Sequence, residues 1–221
     1  MTACEPQPRR ATVVGAGGLG GPIALALAAD GVHVTVCDPD VVELSNLHRQ
    51  IAFVGDDLGA GKARRLVDAI VASGGQATAH RGRFDAATAA DLLRDAALVV
   101  DGSDDAATKF LVADRAGAAG LPYVIASALG LGGNVFVGGP GAACYRCLFE
   151  AAPDETPTCA DAGVLGPLVA WIGGAAAEHG LRLLAGDHAD AGSIWIVDGV
   201  TAPPRTVRLT ARPGCGCEAR S

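Results

Sequence analysis

Positive charge is scarce in this chain. Its 221 residues include 17 Lys or Arg against 24 Asp or Glu, for a formal net charge of −7, and only Lys62 and Lys109 are lysines. Binding along a nucleic-acid backbone needs clustered cations, so non-specific nucleic-acid binding is excluded, while a few local cations still suffice for one nucleotide. Aromatic residues make up only 4%, and the 50% hydrophobic content rests on Ala, Val and Leu. Together with 31 glycines, that suits a sheet covered by small-residue helices. A long uncharged apolar run is also missing. The longest apolar stretch, Val164 to Ala185, carries Pro167, Glu178, His179 and Arg182. A membrane span needs about 20 mostly uncharged residues, so this stretch is expected to be a buried helix, in the core or on a dimer face. The first ten residues hold three charges and two prolines and no apolar core. No signal peptide is therefore expected, and the expected location is cytoplasmic. Seven cysteines in a chain without a leader point to thiols or metal ligands and away from a disulfide framework. The length suits a single α/β domain over 1–221, with 1–9 as a short lead-in.

What is present begins with a β-branched strand pattern, Arg10 to Val14, running straight into Gly15-Ala16-Gly17-Gly18-Leu19-Gly20. This is G-x-G-x-x-G between an expected strand and an expected helix, Leu19 to Ala29. Its glycines let the backbone approach a phosphate, and the helix start offers free N–H groups. A second strand, Val32 to Cys37, ends in Asp38, about 20 residues beyond the glycine loop, where an acid can hydrogen-bond a ribose. To this point a dinucleotide-dependent dehydrogenase fits equally well.

The stretch Asp38 to Gln50 discriminates. It opens with Asp38 and Asp40 and closes with Asn46, Arg49 and Gln50, side chains able to hold ribose hydroxyls and phosphate oxygens. Lys62 then opens a helix running to about Ala72. Two cations near a helix start suit a polyphosphate better than a dinucleotide's nicotinamide end. A strand at Ala77 to Arg81 and a helix at Ala87 to Arg94 follow. The strand Ala97 to Asp101 leads into Gly102-Ser103-Asp104-Asp105 and a helix, Ala106 to Ala119. One acid there suffices to cap the helix, which leaves another for Mg²⁺ on nucleotide phosphates. Further strands are expected at Tyr123 to Ala128, Gly133 to Gly138, Ser193 to Val197 and Arg205 to Leu209. The expected fold is α/β and Rossmann-like, a mostly parallel central sheet flanked by helices, with antiparallel C-terminal strands.

Cys144-Tyr145-Arg146-Cys147 is a C-x-x-C, and Cys215-Gly216-Cys217 lies far downstream. Four thiolates in two close pairs are the usual provision for a structural Zn²⁺. A redox role for either pair and unconnected thiols are the competing readings. Between the pairs, Pro153 to Ala162 reads as a mobile crossover loop. Its Cys159 is either an inert thiol or a reactive one favoured by a following helix start.

Taken together, the glycine loop, Asp38-x-Asp40-x-Val42-x-Leu44-Ser45-Asn46-Leu47-x-Arg49-Gln50, Gly61-Lys62, Asp104, Cys144-Tyr-Arg-Cys147-Leu148 and Thr158-Cys159-Ala-Asp-Ala-Gly163 resemble the ThiF/MoeB/HesA adenylyltransferases, bacterial relatives of ubiquitin-activating enzymes. The resemblance runs from about Arg10 to Cys217. It implies ATP-dependent adenylation of the C-terminal carboxylate of a small ubiquitin-like sulfur-carrier protein ending in Gly-Gly, releasing pyrophosphate ahead of thiocarboxylate formation. It implies that Gly15, Gly17, Gly18, Leu19 and Gly20 sit against the nucleotide, that Asp38 holds its ribose and that Asp40 belongs to the ATP-binding set. Asn46, Arg49 and Lys62 would face the triphosphate, and Asp104 would bind Mg²⁺. Cys144, Cys147, Cys215 and Cys217 match the zinc ligands, and Cys159 matches a loop cysteine that in some relatives bonds covalently to the carrier or its sulfur. A homodimer is implied as well.

Two features depart from the family pattern. Relatives usually carry an extra N-terminal helix whose arginine reaches the other subunit's ATP site; here only about nine residues precede the first strand, with Arg9 and Arg10 as the available substitutes. The tail pair is C-x-C, less favourable for a standard zinc knuckle. No rhodanese-like domain follows, so a separate sulfur donor is expected. Adenylation of a short peptide or a tRNA base, and a non-catalytic binding protein descended from such enzymes, are the alternatives.

Overall fold

A computed structural model describes residues 9–152, 163–199 and 202–217. The expected crossover loop and Cys159 lie outside the described residues. Eight strands form one sheet: β1 (Arg10–Val14), β2 (His33–Cys37), β3 (Ala77–His80), β4 (Leu98–Asp101), β5 (Tyr123–Leu129), β6 (Gly132–Gly138), β7 (Ser193–Val197) and β8 (Arg205–Arg208). Their order across the sheet is β3-β2-β1-β4-β5-β6-β7-β8. The first five are parallel, and β6, β7 and β8 each pair antiparallel with the strand before them. That is the mostly parallel sheet with antiparallel C-terminal strands expected from the sequence.

Among the described residues the α-helices are α1 (Gly20–Ala29), α2 (Lys62–Ala72), α3 (Ala89–Leu93), α4 (Ala106–Ala118), α5 (Tyr145–Leu148) and α6 (Gly166–Leu184). Alternate strand residues face opposite layers. Leu98 and Val100 of β4 join a core with Ile23 and Leu27 of α1, Leu66 and Ile70 of α2, and Leu168 and Ile172 of α6. Val99, between them, joins Phe110 and Val112 of α4 and Tyr145 of α5 in the core on the other face. Because both faces are covered, β4 is buried along its whole length.

The long apolar stretch is therefore mainly a core helix, although Trp171 on its outer side stays 48% exposed. It starts at Gly166, two residues later than the sequence suggests, because Val164 forms a bridge with Gly130. No helix among the described residues is long and apolar enough to cross a membrane.

The strand order reverses between β1 and β4, whose successors leave toward opposite sides. At such a switch point the loops after the two strands part and open a crevice beyond the strand ends. The glycine loop follows β1 and the segment 102–105 follows β4, so both candidate loops stand on this crevice.

Candidate nucleotide cleft and cysteine cluster

The glycine loop is shaped by contact as much as by flexibility. Gly15 adopts φ +90°, where a side chain is strained, and a Cβ there would stand 2.9 Å from the Ser103 nitrogen. A Cβ on Gly20 would lie 1.8 Å from the Gly15 oxygen, and one on Gly102 would lie 2.7 Å from the Gly20 nitrogen. The two switch-point loops thus touch through glycine backbones. No side chain caps the start of α1, and Gly17, Gly18 and Leu19 line the cleft. An uncapped helix start carries unsatisfied N–H groups and partial positive charge, which suits an anion.

Asp38 ends β2 and is buried. Its Oδ2 accepts the Ala16 N–H at 2.7 Å, and its Oδ1 accepts the Asp40 N–H at 2.8 Å, turning the chain around Pro39. Burial raises its pKa above the usual carboxylate range, and the two backbone N–H groups oppose that rise.

The chain beyond is clamped to the start of α2. Val41 bridges Gly61, Val42 N–H donates to Ala60 O at 2.8 Å, and Lys62 N–H donates to Asp40 O at 2.9 Å. This clamp sets Lys62 Nζ 3.3 Å from the exposed Asp40 carboxylate. Asn46 lies in a 3₁₀ turn, Leu44–Asn46, and its Oδ1 accepts Arg49 Nη2 at 2.7 Å. Asp38, Asp40, Asn46, Arg49 and Lys62 all line one cleft of about 1210 Å³.

Asp105 is the cap of α4: its carboxylate accepts Thr108 N–H at 2.8 Å and Thr108 Oγ1 at 2.6 Å. Asp104, beside it, is exposed on the cleft wall and makes no hydrogen bond or ion pair among the described residues. A carboxylate so placed is available to a hard cation. Every described residue expected in the nucleotide site therefore lies on or within the same cleft, apart from Gly20, which sits just behind Leu19 and packs on Gly15.

The sequence groups Gln50 with the possible nucleotide ligands, whereas Arg83 with Phe84, and Cys37, were not singled out from it. Gln50 is buried at the cleft wall, and its Oε1 has no hydrogen-bond partner among the described residues. An orphaned buried acceptor is costly and marks a place where a ligand or water completes the site. Arg83 and Phe84 line the cleft beyond β3, and no sequence spacing points to them. Cys37 also lines the cleft, but burial, with Asp38 beside it, pushes its thiol up to about 12, so it is inert.

Arg9 and Arg10 stand at the opening end of β1, away from the glycine loop at its far end. Arg9 pairs with Asp30 at the end of α1, Nη2 to Oδ2 2.9 Å. Neither arginine lines its own chain's cleft.

Distant in sequence, the four cysteines converge. Cys144, Cys147, Cys215 and Cys217 have sulfurs all within 4.8 Å of one another, with contacts of 3.9 Å (144–147), 3.4 Å (144–215) and 3.5 Å (147–217). A tetrahedral ion with metal–sulfur bonds near 2.3 Å sets sulfur–sulfur edges of about 3.8 Å, so the arrangement fits one metal ion with little change. The C-x-C spacing of the tail does not prevent this, since Gly216 takes φ +75° and lets the two thiols turn inward. Arg146 ties the cluster to α4 through a two-pronged pair with Asp114, both bonds 2.8 Å.

Comparison with known proteins agrees with this architecture. The chain is 37% identical over 212 residues to the adenylyltransferase and sulfurtransferase MOCS3 of Caenorhabditis briggsae, covering 92% of this chain and 53% of that protein. It is 37% identical over 219 residues to a sulfur carrier protein adenylyltransferase of Thermus thermophilus, covering 92% and 79% respectively. It is 35% identical over 208 residues to the sulfur carrier protein ThiS adenylyltransferase of Escherichia coli, covering 92% and 83%. The chain thus spans about half the length of the MOCS3-type relatives and most of the bacterial ones. Among solved structures, E. coli MccB with ATP superposes with a TM-score of 0.81 at 17% identity, over 96% of this chain and 67% of that one. A likeness at that identity speaks for the fold alone. The model of the ThiF family matches residues 7–219, and the chain belongs to that family.

Proposed function

We propose that this chain adenylates the C-terminal carboxylate of a small ubiquitin-like sulfur-carrier protein. The observation that carries the reading is the convergence on one switch-point cleft of the glycine loop, buried Asp38, the cations Arg49 and Lys62, and the unpartnered Asp104. The relatives named sulfur carrier protein adenylyltransferases supply the carrier as substrate.

In this reading ATP lies across the crevice. Asp38 is already anchored by two backbone N–H groups, and its remaining lone pairs accept the ribose hydroxyls. The glycine-loop backbone, Asn46, Arg49 and Lys62 face the phosphates. Lys62 exchanges its modest, solvent-facing contact with Asp40 for a phosphate oxygen.

The carrier's carboxylate oxygen attacks the α-phosphorus. The bond from that phosphorus to the bridging oxygen breaks, and pyrophosphate leaves with the electron pair. No side chain needs to move a proton, so the contribution of Arg49 and Lys62 is to stabilise charge that spreads over the phosphoryl oxygens. Mg²⁺, when bound, neutralises phosphate charge, and the free carboxylate of Asp104 is the side chain fitted to hold it.

The four-cysteine cluster fits a structural Zn²⁺ that fastens the C-terminal tail to α5. Thiocarboxylate formation then needs a separate sulfur donor, with Cys159 the thiol proposed to take part. A homodimer also belongs to this reading. Arg9 and Arg10 stand at the end of β1 away from the glycine loop and do not line their own chain's cleft.

Mass spectrometry of Gly-Gly-ended carriers incubated with the protein and Mg-ATP tests the reading. A carrier gaining the mass of an adenylyl group supports it, and unmodified carriers across a panel of such proteins oppose it.

A further inference from the structure

The second lysine of the chain is buried beneath the cleft. Lys109 sits one turn inside α4, and its Nζ lies 2.7 Å from each of three acceptors: Asp101 Oδ2, Ser103 O and Ala126 O. An ammonium has three N–H donors, and all three are taken. Lys109 therefore has none left for a phosphate, unlike Lys62, whose ion pair among the described residues is with the exposed Asp40.

Asp101 is fully buried at the end of β4. Its Oδ1 also accepts Ser103 Oγ at 2.7 Å. Ser103 is thus held twice, by its side chain and by its carbonyl. That carbonyl belongs to the peptide bond leading into Asp104.

A buried ion pair is a poor way to stabilise a core, because apolar residues of similar volume do as well or better. This one stands where the chain must leave the sheet and present a carboxylate to the cleft. From this geometry we infer that Lys109 is a positioning residue, whose ammonium bolts the Ser103–Asp104 peptide to the end of β4 and the middle of β5 and so sets where the Asp104 carboxylate stands. The inference rests on the reading above that Asp104 meets the nucleotide's Mg²⁺.

The test is calorimetry of ATP binding, in EDTA and with Mg²⁺, on the wild-type chain, on Lys109→Met and on the double variant Asp101→Asn/Lys109→Met. The single variant strands a buried carboxylate and is expected to be less stable. The double variant removes both charges, and a cooperative thermal transition verifies its fold. The expected result for the double variant is affinity in EDTA within about twofold of wild type, with the gain on adding Mg²⁺ reduced at least about tenfold. An unchanged Mg²⁺ gain overturns the inference. So does an equal loss in both conditions, which is what a merely structural pair gives. A wild-type chain that binds no ATP in either condition overturns the adenylation reading itself and the inference with it; one that binds ATP without any Mg²⁺ gain overturns the inference while leaving ATP binding intact.

Discussion

The Asp38 carboxylate accepts the Ala16 N–H across 2.7 Å, joining the end of β2 to the second residue of the glycine loop. One buried acid thus shapes the loop expected to face phosphate while keeping lone pairs for ribose hydroxyls.

That bond carries a pH prediction. Burial raises the Asp38 pKa above the ordinary carboxylate value of about 3.9. A raised folded value means this group's contribution to stability is fully present below the unfolded pKa and is lost as pH rises through the folded one. Ligand binding runs the other way, since only the carboxylate accepts two hydroxyls. ATP affinity is expected to fall on mild acidification, starting above the ordinary carboxylate range, and Asp38→Asn should flatten that dependence. Calorimetry from neutral to mildly acidic pH checks both.

Glycine substitutions should separate by the neighbour each one meets. Gly20→Ala drives a methyl toward a backbone oxygen 1.8 Å away, and rigid backbone cannot yield cheaply. A loss of about 1–3 kcal/mol in denaturant stability is expected, together with loss of nucleotide binding. Gly17→Ala meets only Gln50 Nε2 at 3.4 Å, the end of a flexible side chain, and should stay within about 0.5 kcal/mol of wild type. Urea unfolding of the two variants makes the comparison.

The cysteine cluster predicts one zinc per chain by metal analysis of the purified protein. Cys215→Ser should lower zinc content and free the tail from Cys144, 3.4 Å away. Chelation should make the four thiols titratable and expose the segment after β8 to protease. A metal-free protein whose four thiols react freely without any chelator would count against zinc.

Much of this was legible because the signals were local. The β-branched runs at Arg10–Val14 and Ala97–Asp101 became strands with those bounds or within one residue of them. The glycine loop and Asp38 sat where a strand–turn–helix unit requires. The division of labour between Asp104 and Asp105 was visible only as a surplus acid, because capping is decided by one backbone geometry, that of Thr108.

The bolt of Lys109 on Asp101 was not legible. Eight residues separate the two, a spacing that no helix or strand period brings together, and the third acceptor, Ala126, comes from a neighbouring strand. Gln50 was likewise read as part of a polar stretch, and its burial depends on the fold of 44–53 against the glycine loop. The short helix Tyr145–Leu148 escaped notice since four residues carry no period.

The most direct measurement of the central claim is ATP–pyrophosphate exchange by the purified chain with and without a Gly-Gly-ended carrier, repeated with Arg49→Ala and Asp104→Ala. Each side chain acts on charge developing at the phosphates, so each substitution is expected to lower exchange about 10²–10³-fold, with thermal stability nearly unchanged in Asp104→Ala, because Asp104 is exposed and unpaired among the described residues, and slightly lowered in Arg49→Ala, which loses the bond to Asn46 Oδ1. Carrier-dependent exchange that collapses in both variants is the result predicted; exchange that ignores the carrier, or survives both substitutions intact, would contradict the account.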